Sequence, residues 1–160
     1  MELFEQYVNP FVICTMHAFQ NFVGFDLTAG HPHFSCKELV FDEDISAIIN
    51  LSGNIQGSVV ISMKRKFAIK ITNTLVGSEH TEMDDDIVDA IGELVNIIIG
   101  NVKQELPAGE NIHISVPVIV KGTDHMAAWL SEHTRVLTIS FRHEDDICYL
   151  LTDMAKASTS

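Results

Sequence analysis

Between Ile45 and Met63 the chain spells out a β-hairpin. Ile45, Ala47, Ile49 and Leu51 alternate with Ser46, Ile48 and Asn50, then Ser52-Gly53-Asn54 supplies a turn, and Ile55, Gly57, Val59, Ile61 and Met63 resume the alternation. A period of two puts successive side chains on opposite sides of a strand, and a short Gly-containing loop joins antiparallel neighbours. Any fold built on this hairpin contains an antiparallel sheet, and the sheet's apolar row must be covered.

The covering elements are also legible. Asn9-Pro10 reads as a helix start, with Asn at the cap and Pro in the first turn. Phe11, Phe19, Phe22 and Val23 help to form that helix's apolar side, and Gly24 ends it. Phe25 to Phe41, broken by Gly30-His31-Pro32, reads as irregular or weakly extended. A shorter helix is predicted near Arg65 to Val76, where Phe67, Ile71 and Leu75 recur and Gly77 closes. The longest helix is predicted near Asp84 to Leu106. Three strands follow, over Ile112 to Val120, Arg135 to His143 and Ile147 to Asp153, and Pro117 marks the first as an edge or bulged strand.

The order α-β-β-α-α-β-β-β implies an α/β (α+β) fold. Its sheet is largely antiparallel and mixed, packed against the long helix and the N-terminal helix. Residues 1–160 read as a single domain with a frayed tail from about 154.

Charge and hydropathy narrow the partners. Of 160 residues, 46% are hydrophobic, yet the net charge is -12. With a mean hydropathy of +0.18, the chain is too oily for disorder. A net negative protein repels nucleic acid and anionic membrane surfaces. No apolar run approaches the roughly 20 residues of a spanning helix. Glu2 and Glu5 stand where a signal peptide wants positive charge, and Lys37 is the first basic residue, so a cytoplasmic protein is expected. Cys14, Cys36 and Cys148 are odd in number and far apart, which fits small buried hydrophobes better than a disulfide framework.

On a helical wheel of residues 84–106, Ile87, Ile91, Leu94, Ile98 and Val102 share one side. Opposite them Asp89, Glu93, Asn96 and Gly100 form a narrow stripe at spacings of four, three and four, and Lys103 extends its edge. Asn is a poor helix former, and Gly costs about 1 kcal/mol relative to Ala. A glycine here also removes a side chain where a partner backbone could approach closely. On spacing alone the stripe reads first as a solvated helix face. Asn101 falls nearer the core side and is expected to be a buried, hydrogen-bonded amide.

Family resemblance adds to this pattern. GELVNIIIGNVK (92–103), preceded by Asp89, resembles the signature helix of the CheC/CheX chemotaxis phosphatases. LSGNIQGSVVIS (51–62), NPFVICTMHAF (9–19) and the TLVG before the acidic run match the same family in the same order. The resemblance covers about residues 5 to 153, and the single D-x-x-x-E-x-x-N copy is like CheX rather than the two-motif CheC.

The resemblance implies hydrolysis of the aspartyl phosphate on a CheY-type response-regulator receiver. It makes Glu93 and Asn96 the catalytic pair, with Asp89, Gly100 and Lys103 as partner-binding residues. The receiver would bring the phosphorylated carboxylate, a Lys and Mg²⁺, so the chain needs no cofactor or metal of its own. An Asn amide has a donor and an acceptor on one fork, suited to fixing an attacking water, and a Glu is suited to pairing with the receiver Lys. A homodimer through a sheet edge is expected, since relatives of the CheX type join that way. The alternative is a catalytically weak module of the same fold that binds a receiver or a flagellar-switch partner.

Other clusters read blandly. His31-Pro32-His33 with Cys36 matches no metal-ligand spacing and reads as a loop. Glu79, Glu82, Asp84, Asp85 and Asp86 read as charge at a helix N-terminus rather than as a cation site. Gly122 to His133, with Met126, Trp129 and Leu130, reads as a loop packed on its own apolar residues or as a partner contact.

Overall fold

The computed structural model describes residues 3–35, 44–122 and 135–158. Cys36 and all of the Gly122 to His133 stretch except Gly122 lie outside these residues. The N-terminal helix α1 spans Asn9–Ala18, between two wider, π-type turns at Phe4–Val8 and Phe19–Val23. Short strands β1 (Thr28–Ala29) and β2 (His33–Ser35) follow, then β3 (Ile45–Gly53) and β4 (Ile55–Met63). Helices α2 (Arg65–Val76) and α3 (Asp85–Glu105) come next. The remaining strands are β5 (Ile112–Ile114), β6 (Val118–Lys121), β7 (Val136–His143), β8 (Asp146–Thr152) and β9 (Ala155–Lys156).

The strands form one antiparallel sheet in the order β1-β7-β8-β4-β3-β5, with β2 also on β7, β6 on β3 and β9 on β4. The register sets one apolar row across four strands: Ala47 faces Ile61, Ile61 faces Leu150, and Leu150 faces Ile139. All four are buried in a single core with Phe11, Phe19, Phe67 and the inward residues of α3. The opposite face of the sheet carries a smaller cluster, Val60, Val136 and Leu151, beside the buried Ser46–Ser62 hydroxyl pair at 2.7 Å.

Three expectations are corrected. The N-terminal helix does not open at Asn9: the chain is already helical from Phe4, and the Asn9 N–H donates to the Phe4 carbonyl in a widened turn. Pro10 has no N–H and its ring crowds the preceding turn, which a wider turn accommodates. Burial of Tyr7 and Val8 keeps that turn on the core. The strand expected over 112–120 is two strands, β5 and β6, both on β3, with Ser115-Val116-Pro117 between them. The tail expected to fray from about 154 instead has Met154 buried and β9 paired with Ile55 and Gln56.

Gly53 shows why the hairpin turn needs glycine. Its φ is +98°, and a Cβ there would strike the Asn111 carbonyl, where the α3–β5 connection crosses the hairpin tip.

Candidate functional site

Helix α3 is fixed at its start by capping. The Asp84 carboxylate accepts from the Ile87 N–H at 3.1 Å, and Asp85 and Asp86 add negative charge to the first turn. The connection before it is tied to α2. The His80 N–H donates to Asn73 Oδ1 at 2.8 Å, and Asn73 Nδ2 donates to the His80 carbonyl at 2.9 Å. His80 Nε2 then lies 3.2 Å from Asp86 and 3.5 Å from Asp84. His80, Asp84 and Asp86 are a group of described residues able to offer three ligand atoms to a metal. His80 Nε2 already faces both carboxylates at a helix N-terminus, where the backbone favours anions over cations. The sequence reading took in the two aspartates and missed His80, whose signal is its position four residues before the cap.

The inward side of α3 is settled by burial: Ile87, Ile91, Leu94, Ile98 and Val102 are each at most 1% exposed. The stripe opposite, Asp89, Glu93, Asn96, Gly100 and Lys103, is exposed at every position. The Glu93 and Asn96 side chains make no hydrogen bond or ion pair with other described residues. Asn101 is exposed rather than buried, as are Lys103, Gln104 and Glu105, because beyond Gly100 only Val102 of α3 is buried in the core.

The stripe is an exposed helix face. Hollows lined by Arg65, Lys66, Ile69, Thr81, Glu82 and Met83, and by Ile13, Met16, His17, Gln20, Asp26 and Leu27, include none of its residues. A protruding carboxylate and amide one turn apart cannot enclose a small substrate. They can complete a site that a partner brings. His31 and His33 are exposed, and among the described residues the His33 ring bonds only the His31 carbonyl, at 3.3 Å.

The Asp146 carboxylate, 2.7 Å from Lys70 Nζ, holds that ammonium above its ordinary value. Hydrogen bonds from Asn54 and Tyr7 hold the Glu110 carboxyl below its own. Burial pushes the Cys14 thiol up. Among the described residues no helix is long and apolar enough to cross a membrane.

An antiparallel sheet covered by helices, with an unpartnered carboxylate–amide stripe on the longest helix, defines an α+β protein whose polar site is a projecting helix face. A family model described as chemotaxis phosphatase CheX matches residues 45–141, and the chain belongs to this family. It is similar to the CheY-P phosphatase CheX of Thermotoga maritima, 25% identical over 119 residues, covering 73% of this chain and 76% of that protein. The fold is similar to a chemotaxis protein CheX from Vibrio vulnificus, with a TM-score of 0.79 and 20% identity over 93% of this chain and 99% of that one. It is also similar to a chain of the CheX–CheY–BeF3–Mg²⁺ complex from Borrelia burgdorferi, with a TM-score of 0.78 and 23% identity over 94% and 98%.

Proposed function

We propose that this chain is a cytoplasmic phosphatase of CheY-type receivers that presents α3 to the receiver's phosphorylated aspartate. The observation that carries the reading is the Glu93–Asn96 pair, exposed and unpartnered on a helix whose other side is locked in the core. Family membership supports it, as does the likeness to a CheY-P phosphatase.

The chemistry follows from what a receiver lacks. It supplies the aspartyl phosphate, a Lys and Mg²⁺, which offsets charge on the phosphoryl oxygens. It does not supply an ordered nucleophile. Asn96 accepts a hydrogen bond from a water through its carbonyl and donates through its amide, holding that water in line with the scissile bond. The water oxygen bonds to phosphorus as the bond to the aspartate oxygen breaks. The carboxylate departs with its electron pair, and the water's proton leaves with inorganic phosphate or solvent. Asn96 is neutral and positions without removing a proton, as the water-orienting Gln of GTPases does. Glu93 pairs with the receiver Lys and sets the register that delivers Asn96. Asp89, Gly100 and Lys103 belong to the docking surface.

Two copies join through a sheet edge. The β5–β6 edge supports this, since Val116 and Val118 beside it are 79% and 56% exposed.

The test is the half-life of a phosphorylated cognate receiver with and without this protein. A shortened half-life is expected. No acceleration at saturating protein would sink the enzyme reading and leave the fold as a receiver-docking module.

A further inference from the structure

Gly100 stands on the α3 stripe one turn beyond Asn96, and nothing in the described chain calls for glycine there. Its backbone is helical, its surface is exposed, and a Cβ built on it meets nothing within 4 Å. It lies inside a 21-residue helix, where glycine is the weakest helix former after proline. Gly57 is the contrast: its φ is +131°, and a Cβ there would come within 2.8 Å of Asp153 Oδ1 and 3.0 Å of Met154 Cα. The fold requires Gly57. It does not require Gly100.

We infer that Gly100 is a close-approach point, over which the main chain of the docked receiver passes so that α3 can sink far enough for Asn96 to reach the aspartyl phosphate. This rests on the receiver-phosphatase reading and adds what the receiver presents to the helix: backbone beside its phosphorylation site. Asn has a short stem, and a water held by its amide must itself lie about 3 Å away, so little reach remains. Helices ordinarily pack with axes about 8–10 Å apart, a spacing set by the side chains at the contact. Gly100 follows Asn96 by about 6 Å along the axis and 40° around it. A Cβ at that point would meet the partner beside the phosphate and hold the whole helix back.

Gly92 provides a matched control in the same helix. It too is helical, and a Cβ there meets only Ile119 Cγ1 at 3.9 Å, an ordinary contact toward β6. Gly100→Ala and Gly92→Ala are each expected to raise Tm by about 2–4 °C. Only Gly100→Ala is expected to lower kcat/KM, by about tenfold to a hundredfold, and to weaken binding of beryllofluoride-activated receiver by a similar factor. Undiminished binding and rate in Gly100→Ala overturns the close approach while leaving the phosphatase reading intact. An equal loss in Gly92→Ala, or a lowered Tm in Gly100→Ala, overturns it as well. Failure of the unsubstituted protein to shorten the phosphoreceiver half-life overturns the phosphatase reading instead, and the beryllofluoride binding comparison still decides the close approach.

Discussion

Glu93 and Asn96 lie one turn apart on the outward side of α3, while Leu94, between them in the chain, is 1% exposed on the inward side. The helix therefore fixes the spacing of carboxylate and amide at about 4.5 Å along its axis, and the core fixes which way both project. A site of this kind is rigid before it meets a partner.

Asn96→Ala should abolish the acceleration of phosphoreceiver hydrolysis, a loss of at least about a hundredfold, while largely preserving receiver binding. Because the side chain is exposed and unpartnered and Ala is the better helix former, stability should hold or rise, by less than about 1 kcal/mol. Single-turnover rates, binding to beryllofluoride-activated receiver and Tm check the three parts separately. Full activity in this variant would discard the role assigned to Asn96.

Glu93→Ala should weaken docking as well as rate, because it removes the carboxylate that meets the receiver Lys. The salt dependence of binding should flatten in the variant, since a charge pair is screened by salt. Binding titrations at low and high salt test this. A salt slope equal to that of the unsubstituted protein would count against the pairing.

Ile91→Ala should cost about 2–5 kcal/mol of stability, since it empties a fully buried position beneath the stripe. Denaturant unfolding measures the loss. A cost under about 0.5 kcal/mol would mean that α3 is not anchored as the core packing indicates.

Acid should loosen the Glu110 clamp. Its carboxylate accepts from Asn54 Nδ2 at 2.8 Å and from Tyr7 Oη at 3.0 Å, tying the hairpin tip and the N-terminal helix to the α3–β5 connection. These bonds lower the folded pKa below the ordinary 4.5. The unfolded chain therefore takes up the proton first, and the contribution is fully present above that value and lost as pH falls through the folded value. Glu110→Gln should lower Tm near neutrality and converge on the unsubstituted protein in acid. Parallel Tm curves between about pH 3 and pH 7 would remove Glu110 from this account.

Periodic segments were the most legible. Helix α2 runs over Arg65–Val76 as its four-residue apolar recurrence predicts, and Gly77 closes it with φ +68°. The hairpin pairs as its alternation predicts, Ile45 with Met63 and Leu51 with Gly57. What failed was decided by non-local contacts. Asn9-Pro10 carries a local start signal, but Tyr7 and Val8 have a core to enter and extend the helix backwards. Asn101 has an inward-leaning wheel position, but no apolar cover reaches it. Ala155 and Lys156 look like tail, but the free edge of β4 at Ile55 and Gln56 accepts them.

The sequence by itself determined the elements and the stripe, because hydrophobic period, caps and turn residues are local properties of the chain. It also placed Asp89, Glu93, Asn96, Gly100 and Lys103 on one side of one helix. The tertiary structure decided that this side faces outward. It did so because Ile87, Ile91, Leu94, Ile98 and Val102 are buried in the core shared with Ile45, Ala47 and Ile49, which leaves the opposite side uncovered. It also decided that Gly100 answers to no neighbour within the described chain, since only the packed arrangement tells an open glycine from one that the fold needs.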